Sequence, residues 1–521
     1  MKQNSFLFVF LSLLSGGILL FSWFNPSGFY LIFIAFVPFL FVIENLTIVR
    51  STAVRSALLI LPFFIWNFKN LWIFKINATA CILAIILNTL VISAPWIIFS
   101  RFQKRTRIAL IKYSFLIISV LSMEIFHKTW QLSYPFHLLG NAFSVAPDTI
   151  QWYEYTGIYG GTVWILISNI LVFSIFINFK SDHSKTIVLR ILLFMLILIF
   201  PLIISKHIRN RFKPGESIPL EVVAIHPQIR IPDKYNMDNE KLLKHYLSVS
   251  SIYLTPNTDY LIWPETAFPD MVFIDSLETD KIVDSIITLY RNTDTKIITG
   301  FVLGEMGKPE SGETEFTEYN AAVQIIPSQK RIDIKTKDKC VPFTERIPYP
   351  KILSFLSNYI EGLAGYRFSK SGNYGKVNFI SDNIRVVPSI CYESAFCDIN
   401  LPLRFNENTF IAVILNEGWY NNLRVAGQFM HLAVLRAIEY RKPVVRSSNM
   451  GISCTVSSLG ECSHILSRYG GKGFKAVIQA NNYNSFFARH HRTCEQIIIS
   501  FFFIFLLFFF VPDFRYFVNL Y

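Results

Sequence analysis

The sequence predicts two fold classes in one chain: an α-helical polytopic membrane domain and, inserted in it, an α/β sandwich domain. Three observations predict this. The 521 residues are 52% hydrophobic, well above the usual range for a soluble protein. The excess is uneven, with long apolar runs through 1–205, mixed composition through 219–485 and a last apolar run at 495–511. Within 219–485, short apolar strands alternate with stretches of helical spacing.

A membrane-spanning helix needs roughly 20 apolar residues. Runs of suitable composition lie near 5–24, 28–47, 52–68, 78–100, 108–126, 158–178 and 186–205, so about seven transmembrane helices are expected in the membrane domain. The run at 495–511 adds a C-terminal transmembrane helix. The first run follows Lys2 as a secretory leader would, but Ser15, Gly16 and Gly17 interrupt it without a cleavage site and further spans follow. It is expected to stay as a membrane helix.

Orientation follows from lysine and arginine in the short loops. Arg101, Lys104, Arg105, Arg107 and Lys112 form the densest group, and Arg50, Arg55, Lys180, Lys185 and Arg190 share their side if the spans alternate. That side is expected to be cytoplasmic, which puts the soluble domain on the periplasmic side of a bacterial inner membrane. Lys206, Arg209, Arg211 and Lys213 lie on the opposite side and are expected to anchor the domain to anionic headgroups. Because the basic residues flank apolar runs, the net charge of +13 implies membrane topology and lipid contact; no nucleic acid partner is expected. The seven cysteines are compatible with one thiol left free for chemistry, and Cys454 and Cys462 flank a hairpin and could pair. No pair has the spacing of a zinc site, so neither metal nor other cofactor is expected.

In the soluble domain, residues 220–225, 259–263, 296–300, 385–390 and 410–415 read as buried strands, and Asn239 to Tyr253 and Gln428 to Tyr440 as helices. Three patterns fall at strand ends, where open α/β sheets place reactive groups. Glu265 follows a strand in Trp263-Pro264-Glu265, so its carboxylate projects from a rigid turn. Lys337 lies in a polar stretch that turns apolar at Val341-Pro342-Phe343 and carries Glu345 with it. Cys391 ends a strand in Ser389-Ile390-Cys391-Tyr392-Glu393. Taken singly, these are a solvated carboxylate, part of a charge run and an inert core thiol. Together a thiol, a base and a cation are the parts of a cysteine-based acyl-transfer site.

The three patterns, in this order, resemble the Glu-Lys-Cys triad of the carbon-nitrogen hydrolase, or nitrilase, superfamily. Combined with the membrane runs, the chain is similar to the apolipoprotein N-acyltransferase family. Tyr319-Asn320, Asn416-Glu417-Gly418-Trp419-Tyr420 and the stretch from His431 to Gly451 support the likeness, as do Glu124, Ser133-Tyr134-Pro135 and Gly157-Ile158-Tyr159-Gly160-Gly161 in the membrane domain. The sequence departs from the family pattern at Thr344, Cys340, Tyr235, Gly418 and Asn421; none is a triad member.

The resemblance implies a nitrilase-like αββα sandwich in which Glu265 is proton acceptor, Lys337 stabilises thiolate and oxyanion, and Cys391 is the nucleophile. Glu345 would orient Lys337, Tyr392 and Glu393 would shape the pocket beside the nucleophile, and Trp419 and Tyr235 would contact substrate. The implied reaction moves an acyl chain from a phospholipid, with phosphatidylethanolamine the expected donor, through a Cys thioester to the α-amino group of the S-diacylglyceryl cysteine of an apolipoprotein. The triad alone also fits a membrane-tethered amidase or nitrilase acting on a small carbon-nitrogen substrate.

Overall fold

The computed structural model describes residues 2–510 apart from 24, 76–77, 180–182, 307–315, 354–374, 376–377, 399–405, 421 and 468–469. Lys180 and Asn421 therefore lie outside the described residues. The chain divides into two units, one holding the residues up to Arg211 and those from His490 onward, the other Phe212–Arg489.

The first unit is helical. Seven helices are long and apolar enough to cross a membrane, at Ser5–Ser22, Thr52–Lys75, Ala78–Phe102, Ala109–Thr129, Tyr153–Asn178, Ser184–Arg211 and Phe486–Phe508. The first six lie in α1 (Lys2–Ser22), in α3 (Thr52–Trp66) with the 3-10 helix Asn67–Lys75 that continues it, and in α4 (Ala78–Phe102), α5 (Ala109–Thr129), α6 (Tyr153–Asn178) and α7 (Ser184–Arg211), while the short α2 spans Val37–Glu44.

The run expected to span at 28–47 forms no continuous helix. A 3-10 turn at Phe29–Phe33 precedes α2. A break inside a bilayer frees backbone groups that lipid cannot satisfy, and Asn169 of α6 supplies the missing partners. Its Oδ1 accepts from the Phe36 N–H at 2.7 Å, and its Nδ2 donates to the Ile32 carbonyl at 2.9 Å. Gly157, at φ 58°, likewise breaks the helical path inside α6. Three of the four basic residues expected to follow the seventh span fall inside α7, and Arg209 pairs with Asp148.

The second unit is built on thirteen strands, β1 (Ser217–Ile225), β2 (Tyr260–Ile262), β3 (Phe268–Phe273), β4 (Lys296–Met306), β5 (Phe316–Ile326), β6 (Arg331–Thr336), β7 (Phe379–Ser381), β8 (Ile384–Ile390), β9 (Asn408–Asn416), β10 (Val444–Asn449), β11 (Ser453–Val456), β12 (Cys462–Leu466) and β13 (Gly473–Asn481). The order β12-β11-β10-β9-β13-β1-β2-β4-β5-β6 is joined between β9 and β13 only at Asn481 and Thr409. This single pair hinges two sheets that fold over each other.

Period-two alternation then explains the layers. From β1, Leu220, Val222 and Ala224 point into a core shared with Ile384, Val386, Ile390, Phe410 and Ile414 of β8 and β9. Val223 and Ile225 point the other way, against Leu242, Tyr246 and Val249 of α9 (Asn239–Ser250) and Ile282 and Ile286 of α10 (Lys281–Tyr290). Both faces of β1 are buried, as the αββα sandwich requires. Helix α8 (Ile231–Asn236) follows β1, and α11 (Leu423–Tyr440) follows β9. Helix α12 (Phe486–Phe510) begins in this unit and continues into the helical one.

Candidate active site

Three loops leave their strands with backbone geometry that points a side chain inward. β2 ends at Ile262, and the chain turns through Pro264 to Glu265 and Thr266, whose φ is 46°. The turn lies against β4 at Gly300, where a Cβ atom would stand 2.3 Å from the Thr266 nitrogen. β6 ends at Thr336, and Lys337 extends it by donating its N–H to the Asn320 carbonyl on β5 at 2.8 Å. β8 ends at Ile390, and Cys391 opens a 3-10 turn with φ 51°. A non-glycine residue at positive φ directly after a strand makes a sharp elbow that lifts the side chain off the sheet.

The loops meet around Lys337. Its Nζ donates to Glu265 Oε1 at 2.9 Å and to Glu345 Oε1 at 2.6 Å, and its side chain is 1% exposed. Glu265, 4% exposed, takes a second bond on Oε1 from Asn320 Nδ2 at 2.7 Å and one on Oε2 from the Asn416 N–H at 2.9 Å. Glu345 fixes its other oxygen on the Val341 N–H at 2.8 Å. The expected orienting contact from Glu345 to Lys337 is thus present.

The electrostatics agree. Burial alone would lower the Lys337 pKa, but the carboxylates of Glu265 and Glu345 outweigh it and hold the ammonium well above its usual range. Cys391 moves upward because it is buried and faces Glu265, with the Lys337 charge opposing. Burial raises Glu345 against the pull of Lys337. The resting site therefore holds the Lys337 ammonium between the Glu265 and Glu345 side chains, beside a protonated thiol. Cys340 lies in the same field; burial, then Glu345, push its thiol up to about 12.

Glu393 acts as a clamp. Its Oε2 accepts from Lys335 Nζ at 2.5 Å and from the Ile390 N–H at 2.8 Å, while Oε1 accepts from the Asp338 N–H at 2.7 Å. One carboxylate thus ties the Cys391 elbow to the segment that carries Lys337. Tyr392 is 3% exposed and packs edge-on against Phe396 with ring centroids 5.2 Å apart.

Tyr235 of α8 and Trp419 pack with tilted rings, centroids 5.9 Å apart, each 38% exposed, so the two residues expected to contact substrate form one surface pair. Gly418 packs beside Ile231 of α8, where a Cβ atom would come within 3.0 Å of the Ile231 side chain. The positive φ in the Lys337–Glu345 turn falls on Phe343, at 59°, next to Thr344.

Sequence reasoning assigned no role to three contributors. Asn320 appeared only within a Tyr-Asn resemblance. Asn416 contributes its backbone N–H, which no side-chain pattern betrays. Lys234 is fully buried and donates to the Glu265 carbonyl at 3.0 Å and to Thr266 Oγ1 at 2.8 Å.

The described cysteines are free thiols, and Cys454 and Cys462, which the sequence allows to pair, are in side-chain hydrogen-bond contact between β11 and β12. Among the described residues no group of three His, Cys, Asp or Glu side chains is arranged to hold a metal ion.

Residues 15–171 match the family described as apolipoprotein N-acyltransferase N-terminal domain, and residues 223–470 match carbon-nitrogen hydrolase. The chain is similar to the apolipoprotein N-acyltransferase of Chlorobaculum tepidum, 26% identical over 401 residues that cover 73% of this chain and 74% of that protein. It is 30% identical to the Rickettsia typhi apolipoprotein N-acyltransferase over 331 residues, 63% of this chain and 62% of the relative. With apolipoprotein N-acyltransferase 1 of Treponema denticola it shares 24% over 507 residues, 89% of each chain. A membrane-domain match, a hydrolase-domain match and relatives aligned across most of the length converge on one conclusion: this chain belongs to the apolipoprotein N-acyltransferase family, and its second unit is a carbon-nitrogen hydrolase domain.

Proposed function

We propose that this enzyme transfers an acyl chain from a membrane phospholipid to the α-amino group of a diacylglyceryl apolipoprotein, with Cys391 as nucleophile, Glu265 as proton acceptor and Lys337 as the stabilising cation. The observation that carries the reading is the placement of the Lys337 ammonium between Glu265 and Glu345, next to the raised thiol of Cys391.

The bonding capacities suit these roles. A carboxylate has about four acceptor positions; Glu265 uses two on Oε1 and one on Oε2, which leaves a position for the thiol proton. Lys337 has three N–H donors and commits two to carboxylates, so the third serves the thiolate and then the oxyanion. Because the resting thiol is protonated, attack requires a base, and Glu265 takes the thiol proton.

In the first half-reaction the Cys391 sulfur bonds to the ester carbon, the ester C–O bond breaks and the proton on Glu265 passes to the departing lysophospholipid. In the second, Glu265 takes a proton from the attacking amine, the C–S bond breaks and the proton returns to the thiolate. The donor is phosphatidylethanolamine, cleaved at its sn-1 ester. The catalytic unit faces the periplasm from the inner membrane, as the basic loop residues imply. Lipid-anchored donor and acceptor explain why a hydrolase-type domain is joined to so many membrane helices.

Incubating the purified protein with labelled phospholipid and no acceptor should place label on Cys391, and adding a diacylglyceryl lipopeptide should discharge it to the peptide amine. Cys391→Ala should insert normally and transfer nothing. Label on another residue, or transfer by Cys391→Ala, would refute the reading. Ammonia release from small amides without lysophospholipid would favour the amidase.

A further inference from the structure

We infer that Lys234 is a positioning residue for acylation: it holds the Glu265–Thr266 turn so that the Glu265 carboxylate stays aligned with Lys337, Asn320 and Asn416. The inference rests on the proposed role of Glu265 as base.

Lys234 is an unusual place to spend a lysine. It sits on the six-residue helix α8 with no exposed surface, and burying an ammonium is unfavourable unless its donors are used. Its hydrogen bonds go to the main-chain oxygen of Glu265 at 3.0 Å and the hydroxyl of Thr266 at 2.8 Å. All three described bonds to the Glu265 carboxylate come from elsewhere. Lys234 therefore grips the backbone from which the base projects.

That backbone needs holding. Thr266 is β-branched and sits at φ 46°, a region such residues avoid. Strained conformations of this kind persist only where their surroundings over-determine them. Here the turn is held from two sides: Lys234 pulls on it from α8, and on β4 Gly300 leaves room for it that any Cβ atom would fill. Burial lowers the Lys234 pKa to about 7, with the Glu265 charge opposing. Ammonium and neutral amine both carry at least two N–H donors, so either form can serve the two acceptors.

The same helix reaches the surface one residue later, where the Tyr235 ring packs at a tilt against Trp419. Trp419 follows Asn416, whose N–H is itself bonded to Glu265. Helix α8 thus touches the base through Lys234 and the Asn416–Trp419 loop through Tyr235.

The test separates positioning from simple stabilisation by measuring a rate constant per folded site. Full-length wild type, Lys234→Met and Thr266→Val are purified in detergent. Each is mixed with excess labelled phospholipid in a single turnover; the amplitude counts competent sites and the exponential gives the rate constant for each. A misplacement of the order of 1 Å costs about 10²-fold in rate. Lys234→Met should therefore lower the rate constant about 10²-fold, while the amplitude and the donor concentration dependence stay near wild type. Thr266→Val should lose about tenfold, and the double variant should be little worse than Lys234→Met alone, because both remove the same contact.

A lowered amplitude with a wild-type rate constant would mean that Lys234 only stabilises the fold, and would overturn the inference. If Lys234→Met does not fold, Thr266→Val carries the test, and a wild-type rate constant there overturns it. Alkylation of Cys391 by iodoacetamide, corrected with Cys391→Ala, reads base-assisted thiolate formation without lipid. A wild type that alkylates but never accepts an acyl group would sink the proposed function, yet the alkylation ratio would still decide for or against Lys234.

Discussion

Asn320 and Lys337 share one oxygen of Glu265, yet only the lysine could be singled out from the sequence. A lysine in a polar stretch that turns apolar at Val341-Pro342-Phe343 and carries Glu345 signals chemistry, whereas an asparagine inside β5 has the same spelling as any sheet residue. A hydrogen bond to a charged group is worth about 1.5–3 kcal/mol, so Asn320→Ala should slow thioester formation about 10- to 100-fold. Single-turnover labelling with the intact triad would measure it. Lys234 escaped for a related reason, since nothing in Pro-Asp-Lys-Tyr tells a fully buried ammonium from a solvated one. Glu265 and Cys391 could be singled out because each follows a strand that reads as apolar, and Lys337 because the apolar Val341-Pro342-Phe343 and Glu345 come after it. Asn416 could not have been, because it works through an atom every residue but proline possesses.

Elements were legible where both faces of a strand are apolar. β1, β2, β8 and β9 were anticipated within a few residues because burial in a sandwich makes them continuous hydrophobic runs. β5, interrupted by Thr317, Glu318, Asn320 and Gln324, and β6, where Arg331, Asp333 and Lys335 alternate with Ile332 and Ile334, were not. The run at 28–47 misled in the opposite way, because composition suits a span but cannot reveal that Asn169, more than a hundred residues later, stabilises a break. The elbow after β8 also depends on a distant partner, the lysine pair of Glu393. Its carboxylate is 6% exposed and bonds Lys335 along with two backbone N–H groups. Removing one partner of a buried ion pair costs about 3–5 kcal/mol. Glu393→Ala should lower stability by that order and abolish transfer, as thermal unfolding and lipopeptide acylation would report. Survival of wild-type transfer would show that the elbow holds its shape unaided.

At the scale of the whole molecule, the chain leaves its helical unit after α7, builds the sandwich and returns through α12. The return is secured inside the helical unit, where Lys128 of α5 lies 2.9 Å from Glu495 of α12 and Tyr159 of α6 donates to the same carboxylate at 2.8 Å. Charges in membrane segments are costly when unpaired. Glu495→Gln should therefore lower the melting temperature of the detergent-solubilised protein more than the double variant Lys128→Met/Glu495→Gln does. Equal losses would mean that the pair contributes little.

The pairing of the first strand with the last has a consequence in time. β1 lies between β2 and β13, with Ser217 opposite Asn481. During synthesis β1 emerges first, and its second neighbour follows roughly 260 residues later, about 13–50 s at ~5–20 residues per second. For that interval one edge of an apolar strand stands open to any passing chain. The sandwich cannot close cotranslationally from its first strand, so the nascent enzyme depends on whatever shields that edge until β13 arrives.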